Sequence, residues 1–203
     1  MAAAVIPYES GSYPLGLDVT SPQTVERWRP LLNWVLVIPH QLWLAVLLLG
    51  AEVLTFLGWF AILFTGRMPD SWTDYIAGAV RYQWRVESYL YAWTVQYPSF
   101  TPVSGHIDPG DYPAVLWCAR AVERNRLTTF FRSLLAIPHL VVLYLFGIVA
   151  SLVLVAAWFV VLFTGRWPEG MRSFVIGFLR WQFRVQGYLS LLTDVYPPFD
   201  TAP

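Results

Sequence analysis

Two stretches of this chain carry almost nothing but apolar side chains. Residues 31–64 contain a single charged residue, Glu52, and residues 133–163 contain none. Each exceeds the ~18 apolar residues that mark a membrane helix. Each gives way, after a Gly and a Pro, to a segment with a different rhythm. In residues 71–97, Asp74, Gly78, Arg81, Arg85 and Ser88 recur at helical spacing on one face. Tyr75, Ala79, Tyr82, Val86, Leu90, Trp93 and Tyr97 line the other. Residues 170–196 repeat the apolar stripe with Phe174, Phe178, Trp181, Val185, Leu189 and Leu192, and the basic face with Arg180 and Arg184. A cationic face opposite a Trp/Tyr-rich face predicts a helix lying in the headgroup plane. Ahead of each apolar run, "YPLGLDV" and "YPAVLWC" predict a short strand or extended segment.

The two halves are copies. Displaced by 99 residues, the chain matches itself without a gap from Gly11 onward, with roughly a third of positions identical. Ile38, Pro39 and His40 fall on Ile137, Pro138 and His139, and "WFAILFTGRMPD" falls on "WFVVLFTGRWPE". The pattern divides the chain into a first repeat, 1–100 (apolar run 31–64, amphipathic helix 71–97), and a second, 101–203 (apolar run 130–163, amphipathic helix 170–196). Gly66 and Gly165 suit the left-handed residue that ends a helix, and Pro69 and Pro168 prevent its continuation. Arg67 and Arg166 follow at the height where a guanidinium meets lipid phosphate.

A 34-residue helix would be about 51 Å long, against a hydrocarbon core of ~30 Å. One crossing per repeat would make the copies antiparallel and divide the 13 Arg almost evenly between the two sides. A hairpin within each run, turning near Gly50–Ala51–Glu52 and near residues 147–151, puts every Arg on the cytoplasmic side, as the positive-inside rule asks. The expectation is therefore an all-α membrane protein of two hairpin repeats, each followed by an interfacial helix. It is expected to be a multi-pass protein of the cell membrane with cytoplasmic termini.

Composition sharpens this picture. The chain is 57% hydrophobic and only 13% charged, about half the charge of a soluble domain. Its formal net charge is zero, which gives no electrostatic footprint for nucleic acid. All 13 basic residues are Arg, as a high-GC coding bias would produce. The single Cys118 excludes an intramolecular disulfide and disfavours a Cys-based metal site. The N-terminal "MAAAVIPYESGSYP" lacks the basic and apolar regions of a cleaved signal peptide.

Little in the sequence points to catalysis. It has no Ser-His-Asp set, phosphate-cradling Gly loop, zinc motif or nucleotide fingerprint, so a non-enzymatic role without a cofactor is expected. His40 and His139 occupy equivalent positions and could face each other as haem or metal ligands. The blander alternative is a pair of interfacial histidines bonded to headgroups or backbone. His106, in a Pro/Gly linker, is expected to be solvated. Glu52 becomes Ser151, and Glu87 becomes Gln186, which argues against a proton path built on either acid. Arg67, Arg81, Arg85, Arg166, Arg180 and Arg184 are the candidate contacts for anionic phospholipid headgroups or an acidic partner.

The motifs "IPH", "WFxxLFTGRxP", "RxxxRVxxYL" and "LLTD…YPPF" resemble domain-of-unknown-function family 4389, prokaryotic integral membrane proteins, in two tandem copies. The second copy is the closer to the family pattern, since Asp194 and Pro198 are Val95 and Ser99 in the first. The resemblance implies a bacterial or archaeal membrane protein and brings no activity or catalytic residue. Three roles suit the sequence. The first is an accessory or scaffold protein binding other membrane proteins through aromatic faces. The second is a membrane-shaping hairpin protein, and the third a small lipid-handling or transporter component.

Overall fold

The computed structural model describes residues 13–22, 24–105, 107–119 and 124–202; His106 and Arg120 lie outside them. Its elements are β1 (Leu15–Val19), α1 (Arg29–Leu36), α2 (Ile38–Thr65), α3 (Asp70–Leu90), β2 (Ala114–Cys118), α4 (Arg126–Thr164) and α5 (Glu169–Leu189). The short leads before each apolar run are strands, as expected, and they pair antiparallel.

The apolar runs do not double back. Helix α2 continues through Gly50, Ala51 and Glu52 for 28 residues, and α4 continues through residues 147–151 for 39. These are lengths of about 42 and 58 Å. Nothing at either supposed apex frees the backbone from its ladder: neither holds a proline, the cost of Gly50 and Gly147 is about 1 kcal/mol each, and Ser151 bonds back to the Ile148 carbonyl (2.7 Å). The prolines act nearer the start of each run. In the first copy the helix breaks at Val37, just before Pro39; in the second it continues through Pro138. The carbonyl three residues before each proline accepts a tyrosine hydroxyl: Tyr97 Oη to Leu36 O and Tyr196 Oη to Leu135 O, both 3.0 Å. Each run ends as the sequence predicts. Gly66 (φ +77°) and Gly165 (φ +69°) are left-handed caps whose N–H bonds the last turn.

The same 99-residue offset organises the fold as a pseudo-twofold axis. In the β1–β2 ladder Leu17 pairs with Leu116, its own repeat equivalent, and the pair Leu15–Cys118 maps onto Val19–Ala114. The axis therefore passes between Leu17 and Leu116. Helices α2 and α4 obey it by running antiparallel. The end of α2 meets the start of α4, where Arg124 N donates to Gly66 O (3.2 Å) and Trp59 Nε1 to Thr129 O (3.0 Å). The end of α4 meets the start of α1 in the same way, through Val25 N to Gly165 O (2.8 Å) and Trp158 Nε1 to Pro30 O. The Trp of the duplicated "WF" is thus the clasp between repeats.

Three layers follow. Helix α3 returns along α2, and α5 along α4, so that Tyr82 reaches His40 and Trp181 reaches His139. The strands cover the far side of this middle layer, crosswise: β2 packs on α3 and β1 on α5. Helices α3 and α5 are accordingly interior elements rather than surface ones, and neither presents a large exposed hydrophobic residue. The outer layer is α2 and α4. Only 22% and 17% of their most apolar windows are buried, the reverse of a soluble core helix. Both are long and apolar enough to cross a membrane.

A Cβ at Gly165 would sit 2.9 Å from Val25 O, whereas at Gly66 the nearest atoms, from the Arg126 guanidinium, are 3.6 Å away. Gly165→Ala is therefore expected to cost about 2 kcal/mol and Gly66→Ala about 1, the left-handed penalty alone. Paired thermal melts of the two variants check the difference.

Candidate functional site

The duplicated histidines sit in duplicated aromatic cages. His40, fully buried, stacks on Phe100 (centroids 4.0 Å, 11°) and meets Tyr97 edge-on, with Nδ1 bonded to Tyr82 Oη. His139, also fully buried, stacks on Phe199 (3.8 Å, 15°) beside Tyr196, with Nδ1 accepting from Trp181 Nε1 (3.1 Å). Trp N–H can only donate, which fixes the His139 Nδ1 as an acceptor and, for a neutral ring, places its proton on Nε2. The ring neighbours of each histidine belong to its own repeat, so the structure does not bring His40 and His139 together. Among the described residues, no three His, Cys, Asp or Glu gather as a metal-holding group. The sequence motifs acquire a physical meaning here. The proline of "IPH" removes one donor from the helix ladder, the tyrosine of the tail bonds the carbonyl three residues before that proline, and the tail phenylalanine covers the histidine.

The six candidate arginines divide into two kinds. Arg81 is 1% exposed and gives its guanidinium to three carbonyls: Leu116 O (3.1 Å), Val103 O (2.7 Å) and Gly105 O (2.9 Å). It also meets Asp108 Oδ2 at 3.1 Å. Burial lowers its pKa and the Asp108 charge opposes that shift. Arg85 reaches Asp108 (3.2 Å) and Asp111 (2.7 Å). In the second copy Arg180 donates to Leu17 O (3.3 Å) and Asp18 (3.4 Å), and Arg184 to Ala202 O (2.7 Å) and Asp200 O (3.4 Å). These four bind the strands and tails back onto α3 and α5. Arg67 and Arg166 are different: both are exposed, at opposite ends of the outer layer. Each lies beside an exposed arginine that leads into the other repeat, Arg126 beside Gly66 and Arg27 beside Gly165.

Sequence reasoning missed two carboxylates. Asp108 accepts from Gly110 N and Leu116 N (both 2.9 Å) as well as from the two arginines. Asp194 receives Arg132, which also donates to Thr193 O (2.8 Å) and Tyr188 O, and it lies 3.8 Å from Arg124. A signal for the second was present. Where Asp194 becomes Val95, Arg132 becomes Asn33, so the charged pair disappears together; Asn33 Nδ2 keeps the bond to the equivalent carbonyl, Tyr89 O (2.7 Å).

Two grooves related by the pseudo-axis open between the repeats. One, of about 520 Å³, is lined by Trp34, Tyr91, Trp158, Phe159, Trp167 and aliphatic side chains. Its mate, of about 580 Å³, has Ser133 and Ser190 in place of Trp34 and Tyr91, and adds Glu52, Arg132 and Gln186. A line of side chains crosses the axis near them. Gln186 Nε2 donates to Gln83 Oε1 and Gln83 Nε2 to Glu87 Oε1, each 2.8 Å. Burial pushes the Glu87 carboxyl up to about 7, against the smaller lowering by Gln83. Because the native value lies above the unfolded one, the native state favours the proton. Stability should therefore fall as pH rises from about 4.3 to 7, by on the order of 2–3 kcal/mol. Glu87→Gln, which copies residue 186, is expected to flatten that fall and to exceed the parent above pH 7. Melting midpoints at pH 4.5, 6 and 8 check it.

The family model described as Domain of unknown function (DUF4389) matches residues 27–101 and again 126–200. No curated protein and no solved structure matches the chain.

Proposed function

The chain belongs to the DUF4389 family, and on that premise we propose that it is a non-enzymatic membrane accessory or scaffold protein of a prokaryotic plasma membrane. It holds lipid through the faces of α2 and α4 and engages another membrane protein. The observation that carries this reading is the outer layer itself. Leu42 (69%), Phe56 (64%) and Phe64 (77%), and Val141, Leu152 (66%) and Phe163 in α4, stand exposed on one continuous apolar surface, far beyond what a soluble monomer leaves open. The polar interior supports it as well: the buried arginines and histidines are spent on the protein's own carbonyls, carboxylates and rings. Arg67 and Arg166 remain as the headgroup contacts.

The test is extraction and purification. The protein should resist alkaline carbonate washing and elute from mild detergent with a stoichiometric membrane partner. Elution alone, at native expression level, overturns the scaffold role; recovery in the soluble fraction overturns the membrane assignment. The aromatic groove of about 520 Å³ favours a second reading, lipid handling. Co-purification of one lipid class, lost in Trp158→Ala, would support it.

A further inference from the structure

We infer that the protein lies flat in one leaflet, with its pseudo-twofold axis along the membrane normal, the α2/α4 face toward the bilayer midplane and the β1–β2 layer in water. This deepens the membrane reading above and rests on it.

The argument starts from the axis. If antiparallel α2 and α4 crossed the bilayer, the axis relating them would lie in the midplane. The β1–β2 pair sits on that axis. Crossing would therefore carry the β1–β2 layer to mid-bilayer together with the charged side chains bonded to its edges, Arg81, Asp108 and Arg180, where charge is costly to hold. Asp18, one residue from the axis and with a side chain 44% exposed, would be carried there with it. Rotated by a right angle, the same molecule meets lipid only through its apolar layer.

Three further observations agree. On α2 the side chains opposite the buried stripe of Leu44, Leu47 and Ala51 are Leu42, Val46, Leu49 and Val53, all exposed and all apolar. The one acid of the helix, Glu52, is turned aside into the groove between repeats. Helices of about 42 and 58 Å overrun a ~30 Å core when upright, but need match no thickness when flat. The exposed arginines Arg27, Arg67, Arg126 and Arg166 stand at the two ends of the layer. Crossing would split them between opposite membrane faces, whereas lying flat sets all four at one headgroup level, with Trp28, Trp34 and Trp43 exposed toward the Arg27/Arg166 end. A basic, Trp-bearing rim is what a leaflet asks for, and a second copy on the same face would not require it.

Residues 71 and 170 are repeat equivalents at opposite ends of the outer layer. Both are exposed, and a Cβ at Gly170 meets nothing within 4 Å. In full-length protein carrying Cys118→Ala, Ser71→Cys and Gly170→Cys are each challenged with a membrane-impermeant maleimide in intact cells and in inverted vesicles. Flat embedding predicts that both label from the same side only. Fluorophores at Leu42→Cys, Val53→Cys and Phe64→Cys, read by spin-labelled lipids in liposomes, should report one common depth. Labelling from opposite sides, with depths running through the midplane, overturns the flat arrangement and leaves the membrane assignment standing. A water-soluble pair of copies with no lipid quenching overturns both.

Discussion

Asp108→Asn is expected to lower stability by about 3–5 kcal/mol, the range for stranding buried charge, or roughly 10 °C in the melting midpoint of a chain this long. The carboxylate is only 6% exposed and takes four donors: Arg81, Arg85 and the backbone N–H groups of Gly110 and Leu116. The amide keeps the shape but removes the charge, and it turns an N–H₂ toward groups that are all donors. Asp111 supplies the control. Among the described residues its bond is to Arg85, and its side chain is 58% exposed, so Asp111→Asn should cost less than about 1 kcal/mol. Thermal unfolding in detergent, followed by Trp fluorescence, separates the two. Equal midpoints would mean that the linker is not what holds α3.

The second large effect concerns Arg132 and Asp194. Asp194→Val alone leaves the Arg132 guanidinium, 3% exposed in its side chain, without its carboxylate, and should cost about 3–5 kcal/mol. The double variant Arg132→Asn/Asp194→Val rewrites the site as the first copy has it. The introduced asparagine then needs only the Tyr188 carbonyl, as Asn33 uses that of Tyr89. It should recover at least about 1.5 kcal/mol over the single variant, a coupling typical of residues in one network. The loss that remains belongs to Arg124 and the Asn125 N–H, whose contacts with Asp194 both variants remove. A double variant no better than Asp194→Val would show that the first copy solves the position in some other way.

These two sites also mark where the sequence stopped being readable. The repeat, both apolar runs, their Gly caps and the strands were legible because each is a local signal: identity at a fixed offset, an uncharged run, a residue type suited to one dihedral. The partners of Arg81 and Arg85 were not. A helical wheel places both arginines opposite the aromatic face, but it cannot say whether that side meets headgroups or the chain's own linker, 22 to 27 residues downstream. The hairpin failed for a related reason. Charge counting assumed that the runs cross the membrane, and a turn at Glu52 was then the only way to gather the arginines on one side. The twofold axis supplies another way, and it becomes visible only once β1 is seen to pair with β2. Glu52 looked like an apex because it was the one charged residue in a greasy run; the groove between the repeats gives it a place within a straight helix.

The crosswise strands carry a consequence for how such a chain came about. Each strand lies just ahead of one repeat yet covers the inner helix of the other, so neither half is complete alone. A polypeptide holding one copy could bury its inner helix only by trading strands with an identical twin, edge to edge, across a true dyad. Read this way, the present molecule is a fused homodimer. Its differences between halves, Asn33 and Val95 against Arg132 and Asp194 among them, are the asymmetry that covalent linkage allowed once the two subunits no longer had to be the same.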